Sequence, residues 1–228
     1  MLIIGYCRDR SGPSGAAIHE TAWDTSDWFD LRANGVAASS SEWTIAMAGR
    51  AKANAKEQYW LGMNGGSAFF RRNAGTLIRY RWQTTAGSIV SDTTTSSGIA
   101  DDQLWSTLFS ISAPSQVISG MLNGAALGMS TSVGISDLLH GPNHINSSAG
   151  SSSGASVFNL RGIWIGEGYL DAATHYASFF SGDGVPTAAM LNGDSIGGLS
   201  PSFAEGGDAA VWEAYAGGKS GSFDLSDA

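Results

Sequence analysis

Large apolar residues recur in this chain at every second position, in short runs that Gly, Ser, Asn or Thr bring to a close. In residues 42–48, Trp43, Ile45 and Met47 alternate with smaller or polar neighbours, the period that turns one face of a β-strand inward. Residues 59–63 read as a strand ending in the turn Asn64-Gly65-Gly66, and residues 67–72 and 76–84 as a hairpin through Asn73-Ala74-Gly75. Residues 104–112 set Trp105, Thr107, Phe109 and Ile111 against Ser106, Leu108, Ser110 and Ser112; residues 116–122 follow and run into Asn123-Gly124, a strong hairpin signal. From 143 to 156 the chain is almost entirely Asn, Ser, Gly and Ala, too polar to pack and expected as an exposed loop, before strand character returns at 157–165. Short strands at this spacing predict an all-β fold, a two-sheet antiparallel sandwich.

One segment changes period. Leu170, Ala173, Tyr176, Ala177 and Phe180 fall at helical spacing, with Asp171 placed as N-cap and Gly182 as C-cap, so one short helix is predicted near residues 171–181. The expected organisation is an N-terminal arm over 1–15, a sandwich over 16–185 and a Gly-rich extension over 186–228. Phe203, Trp212, Tyr215 and Phe223 would anchor that extension on the domain or on a partner.

Composition narrows the function classes. Of 228 residues, 43% are hydrophobic and 10% aromatic, ample for a core, so the low charged share of 14% does not signal disorder. A net charge of −8 argues against a nucleic-acid partner, which is met by concentrated Lys and Arg. The basic residues are scattered except for Arg71, Arg72, Arg79 and Arg81, which read either as a positive patch on a strand pair or as solvated strand edges. Cys7 stands alone, so no intramolecular disulfide forms, and a buried thiol is expected there. The apolar start Met1-Leu2-Ile3-Ile4 meets Arg8, Asp9 and Arg10 too soon for a secretory signal, and no window approaches the roughly 18 apolar residues of a membrane span, so no membrane partner is expected.

Candidate chemistry is sparse. Only His140 and His144 lie close in sequence; in a polar loop they could hold a divalent ion, but a solvated loop explains them as well, and turn chemistry accounts for Asp183-Gly184 and Asn192-Gly193-Asp194. No metal site is assigned. Glycoside hydrolysis needs two facing carboxylates, and no strand carries acids at alternate positions. Glu167 and Asp171 stand four apart at a strand-to-helix boundary, a place that suits helix capping. With no nucleophile elbow or phosphate loop either, no catalytic residue is assigned. The aromatic residues give a different lead, since sugars stack their apolar faces on rings while short polar groups bond the hydroxyls. Trp23, Asp24, Asp27 and Trp28 share one turn-like stretch, and Tyr80 and Trp82 share a strand face. Trp23, Asp24, Trp28, Tyr80 and Trp82 are therefore the glycan-binding candidates, although most of the 8 Trp must serve the core.

The order of these features resembles the concanavalin A-like lectin/glucanase jelly roll, particularly its laminin-G-like branch. The resemblance rests on Trp43 to Met47, Leu61-Gly62-Met63, Leu77-Ile78-Arg79-Tyr80, Leu104 to Leu108, and Gly120 to Leu127 around Asn123-Gly124. It continues through Ile163-Trp164-Ile165 into the 170–180 helix, and covers about residues 16 to 185. The laminin-G branch often binds calcium, and the resemblance leaves calcium open, but its ligand positions have no match here, so no cofactor is assigned. A narrower resemblance, to lectin-like structural proteins of tailed bacteriophages, rests on five stretches. These are Ile163 to Asp171, Ala177-Ser178-Phe179-Phe180, Asp183-Gly184-Val185-Pro186, Gly207 to Trp212 and Gly221-Ser222-Phe223.

What this implies, as the leading expectation, is a non-enzymatic virion component: a capsid decoration, head spike or fibre protein located in the virion. Its partners would be other virion proteins, and it would form a homo-oligomer such as a trimer. The alternative is a glycan-binding adhesion module for host surface polysaccharide, and the third reading a polysaccharide-degrading enzyme using Glu167 or Asp171.

Overall fold

A computed structural model of the chain describes residues 20–23, 28–53, 57–63, 68–73, 76–131, 134–147, 157–182, 184–206 and 219–220. Cys7, the 1–15 arm, Asp24, Asp27, the Asn64-Gly65-Gly66 turn, Asp183, Trp212, Tyr215 and Phe223 lie outside the described residues. The strands run β1 (Thr21–Trp23), β2 (Trp28–Asp30), β3 (Ser39–Ser40), β4 (Glu42–Ala51), β5 (Gln58–Met63), β6 (Ala68–Arg72), β7 (Leu77–Gln83) and β8 (Ile89–Gly98). They continue through β9 (Leu104–Ser112), β10 (Val117–Leu122), β11 (Ala125–Ala126), β12 (Leu139–His140), β13 (Pro142–Ile145) and β14 (Phe158–Gly166). Two helices, α1 (Ala172–Phe179) and α2 (Ala188–Asn192), precede β15 (Phe203–Gly206) and β16 (Lys219–Ser220).

Two large sheets result, and every strand pairing in them is antiparallel. The first has the order β1-β14-β4-β9-β10-β11, with β15 also paired to β14; the second has the order β16-β2-β13-β5-β6-β7-β8; β3 and β12 form a short separate pair. This is the predicted two-sheet jelly-roll sandwich. The Asn123-Gly124 connection has both residues at positive φ, 50° and 76°, the backbone of a tight hairpin turn whose twist matches its strands. Between the sheets lies an aromatic core in which Trp60 of β5 stacks on Trp105 of β9 with ring centroids 4.2 Å apart and planes 1° from parallel. Phe70, Tyr80 and Phe109 pack around them.

The outer face of the first sheet is also covered. Ala46, Ala48, Leu108 and Trp164 point away from the aromatic core and form a second apolar layer with Leu170, Ala172, Phe179, Phe180, Met190 and Ile196. The small alanines let α1 and α2 approach closely, and Trp164 meets Phe179 edge-on at 5.0 Å. That second layer explains why β4, β9 and β14 are buried nearly end to end, where alternation alone predicts one wet face.

The structure corrects three expectations. The helix ends at Phe179, before Gly182, because Phe180 turns to extended backbone, bridges Pro186 and buries its ring. Of the predicted stripe Leu170 and Phe180 are buried and Tyr176 packs half-buried on the same layer, whereas Ala173 and Ala177 face solvent and Ala172 and Phe179 take the buried side of the helix. Residues 143–147 are no exposed loop: β13 pairs with both β2 and β5, and Asn143, Asn146 and Ser147 are buried. Backbone pairing holds this strand, as where Leu31 donates to the Asn143 carbonyl at 2.9 Å, so it needs no apolar run. Within 186–228, α2 packs on β14 and β15 is a strand of the first sheet.

Candidate functional site

With α1 and α2 over the first sheet, the broad face left open among the described residues is the outer surface of the second. Its make-up follows from strand period. In β7, Ile78, Tyr80 and Trp82 are fully buried, while Leu77, Arg79, Arg81 and Gln83 on the opposite side are partly exposed. Register carries this outward side across the sheet: Tyr59 lies opposite Arg71, Arg71 opposite Arg79, and Arg79 opposite Thr94. Arg81 lies opposite Asp92 in the next row, and at the far end of the sheet His144 lies opposite Asp30.

The side chains of this face lock one another. Arg79 donates from Nε to Asp92 Oδ1 at 2.6 Å and from Nη2 to Oδ2 at 2.5 Å. Arg81 donates from Nε and Nη2 to the same Oδ2 at 3.0 and 2.5 Å. Asp92 thus accepts from two guanidiniums. Burial alone would raise its pKa, but the hydrogen bonds and charges of Arg79 and Arg81 outweigh that and hold the carboxyl below its ordinary value. In the neighbouring row Arg71 donates to Glu57 and, at 2.6 Å, to the Tyr59 hydroxyl, and its guanidinium lies 5.2 Å from the centre of the half-exposed Tyr59 ring. Towards the other edge the half-exposed Trp28 meets His144 edge-on at 5.4 Å. Burial lowers the His144 pKa and Asp30 only partly offsets it, so the imidazole is neutral at neutral pH. At the β8 edge, Thr94 also lines a cleft of about 380 Å³ shared with Leu122 and Leu127 of the β10–β11 hairpin.

The predicted glycan-binding rings fare differently. Trp23, Tyr80 and Trp82 are fully buried: Trp23 stacks on Phe158, Tyr80 on Phe70, and Trp82 meets Phe109 edge-on. The Tyr80 hydroxyl bonds Thr107 at 2.9 Å, and burial pushes its pKa up. Such rings have no face to offer a ligand, which corrects their assignment. Trp28 stays on the open face, and Asp24 lies outside the described residues. Of the four clustered arginines, three share the open face. Arg72 points the other way, its side chain only 4% exposed, and bonds the Ile99 and Lys52 carbonyls and Asp101. The alternation Arg79-Tyr80-Arg81-Trp82 carried the signal for the face, since whichever side the rings take, the arginines take the other.

Other candidates resolve into structural roles. Asp171 caps α1, accepting from the Thr174 amide at 2.9 Å and its hydroxyl at 2.7 Å, while Glu167 is exposed. His140 and His144 sit on strands β12 and β13, not in a loop, and among the described residues no group of three or more His, Cys, Asp or Glu gathers to hold a metal. Gly193, in the left-handed region, closes α2.

No family model matches this chain, and no curated protein matches its sequence. Solved structures do match it. A native heptameric SAP-like pentraxin from Limulus polyphemus superposes with a TM-score of 0.53, over 84% of this chain and 94% of its own, at 12% identity. A candidate carbohydrate-binding protein from Bacteroides ovatus gives a TM-score of 0.54, over 80% of this chain and 50% of its own, also at 12% identity. The match thus spans half the length of the Bacteroides protein. A Trypanosoma rangeli sialidase matches over 58% of this chain with a TM-score of 0.42, too low to carry an argument. At such identities the likeness is one of fold alone: a two-sheet antiparallel jelly-roll sandwich.

Proposed function

We propose that this chain is a carbohydrate-binding module whose ligand lies across the outer face of β5 to β8. The observation that carries the reading is the half-exposed Tyr59 ring beside planar polar groups already locked together, Arg71 with Glu57 and Arg79 and Arg81 with Asp92. A ring receives the apolar side of a sugar, fixed planar groups bond its hydroxyls, and side chains already ordered lose little freedom on binding. The fold neighbours support the same class, one of them being a candidate carbohydrate binder in its own right. Turnover does not suit this face: a carboxyl held below its ordinary value, like Asp92, is a poor general acid at neutral pH.

A place on a virus particle, and a trimer, stay expectations carried by the sequence resemblance. Self-association would serve the carbohydrate reading too, because a weak sugar site gains avidity when several are presented together.

A glycan array followed by titration calorimetry tests the reading. The chain should bind at least one polysaccharide or oligosaccharide, and Tyr59→Ala should weaken that binding about tenfold, a loss of about 1.4 kcal/mol. The control Ala177→Ser, on the solvent side of α1, should bind like the parent. Binding to no glycan, or equal binding by parent and Tyr59→Ala, would overturn it.

A further inference from the structure

We infer that the cleft between β8 and the β10–β11 hairpin is a second sugar subsite, which takes one neutral, methyl-bearing unit at the end of the glycan lying on the open face. The inference rests on the carbohydrate reading above and adds where the bound chain ends and which kind of unit ends it. Cross-strand register gives the direction. Tyr59, Arg71, Arg79 and Thr94 are successive partners on β5, β6, β7 and β8, so they form one row across the strands. Three strand spacings of about 4.8 Å make that row about 14 Å long, enough for a short run of sugar units. β8 is the end strand of its sheet, and Thr94 both closes the row and lines the cleft, so a chain continued past it enters the cleft.

The cleft suits a small ligand of mixed polarity. Its volume of about 380 Å³ stands at the low end of the range for small-molecule sites, about 300–1,000 Å³, which gives room for an end unit but not for a polymer. Thr93, Thr94 and Ser96 bring hydroxyls to the β8 wall, while the Thr95 hydroxyl is taken, accepting from the Ile78 amide at 3.0 Å. Leu122, buried in the core, and Leu127, half-buried against it, supply the apolar part. The hairpin wall is fixed, because Leu127 donates to the Gly120 carbonyl and Met129 to the Leu127 carbonyl, both at 2.8 Å. Among the described residues no charged side chain lines the cleft, so a carboxylate or sulfate entering it would lose water without gaining a counter-ion. The leucines favour a methyl group, from a deoxy or an acetamido sugar, over a hydroxyl in its place, which would be buried against carbon. An added polypeptide strand fits less well. Two register shifts interrupt the β7–β8 ladder and leave only Ser91 to Thr94 of β8 in an unbroken run.

Amide spectra of the full chain are followed during titration with methyl glycosides. Fucose and rhamnose are the deoxy probes, N-acetylglucosamine and N-acetylgalactosamine the acetamido probes, and the matching sugars with a hydroxyl in place of the methyl-bearing group are their counterparts. At least one methyl-bearing probe should shift the amides of Thr93, Thr94, Leu122, Leu127 and Gly128 and bind about tenfold more tightly than its counterpart. Whether the deoxy or the acetamido set binds names the source of the methyl. Gly128 lines the cleft with its backbone outside the left-handed region, and a Cβ there meets nothing within 4 Å, so Gly128→Phe fills the cleft without backbone strain. It should weaken that probe, and the best glycan of the array, about tenfold. Thr93→Val, which removes one hydroxyl at nearly constant size, should weaken both about fivefold, and it carries the test if thermal melts show Gly128→Phe unfolded. Equal binding of methyl-bearing probes and their counterparts, or array-glycan binding untouched by a folded Gly128→Phe, overturns the cleft assignment while the Tyr59 face stands. A blank array together with no bound probe overturns the carbohydrate reading itself.

Discussion

Tyr80 and Trp82 lie on one face of β7, as their spacing says, but that face points into the sandwich, and Arg79 and Arg81 hold the open side. Period two divides a strand into two faces without saying which is wet. Burial of large rings decides it: two rings gain by going inside, whereas two arginines there would pay a large desolvation cost. Weighing the two faces against each other would have named the arginines from the sequence. Nothing local would have named Tyr59, whose role depends on register with Arg71 on the next strand. Asp92 is just as hidden, because the run 89–98 is too rich in Ser and Thr to announce a strand.

Single residues also set the response to acid. Asp92 and Glu20 stay below their ordinary pKa because arginine hydrogen bonds outweigh burial, and Asp171 does so because Thr174 donates to it. His140 and His144 are lowered by burial. Each of these groups binds its proton more weakly in the folded chain than in the unfolded one. As pH falls the unfolded chain takes up protons first, and stability is lost. The melting temperature should therefore begin to drop below the ordinary histidine value of 6.5 and fall further through the carboxylate range near 4. A melting temperature flat from pH 7 to about 4 would show that these environments do not form.

At the scale of elements, the strands with clean alternation were legible: residues 104–112 are β9, and 157–165 differ from β14 by one residue at each end. What the sequence hid was contact from outside the strand. The short α2, capped by Thr187 and closed by Gly193, bears a start and stop signal around only five residues and is stable because it packs on β14 and β15. The α1 N-cap is the most exposed test of this packing. Asp171→Ala removes the acceptor of the Thr174 amide and should cost about 1 kcal/mol, seen as a lower melting temperature with glycan binding unchanged, since α1 lies on the other sheet. Loss of sugar binding in that variant would mean that the ligand face extends over the helices.

At the scale of the whole molecule, the layers divide labour. The second sheet, the first sheet and the two helices stack so that the central strands of the first sheet, β4, β9 and β14, are buried on both sides and the second sheet, among the described residues, on one. The net charge of −8 argues against a nucleic-acid partner; the fold shows where part of the small charged share, 14%, lies, in arginine–carboxylate contacts along one open face. The central claim is that this face, and not the helical side, receives the ligand. Amide chemical-shift mapping during titration with the oligosaccharide that binds best tests it most directly. The account predicts shifts gathered at Tyr59, Arg71, Arg79, Arg81, Asp92 and Thr94 across β5 to β8. Shifts gathered instead on α1, α2 and the outer side of β14 would contradict it.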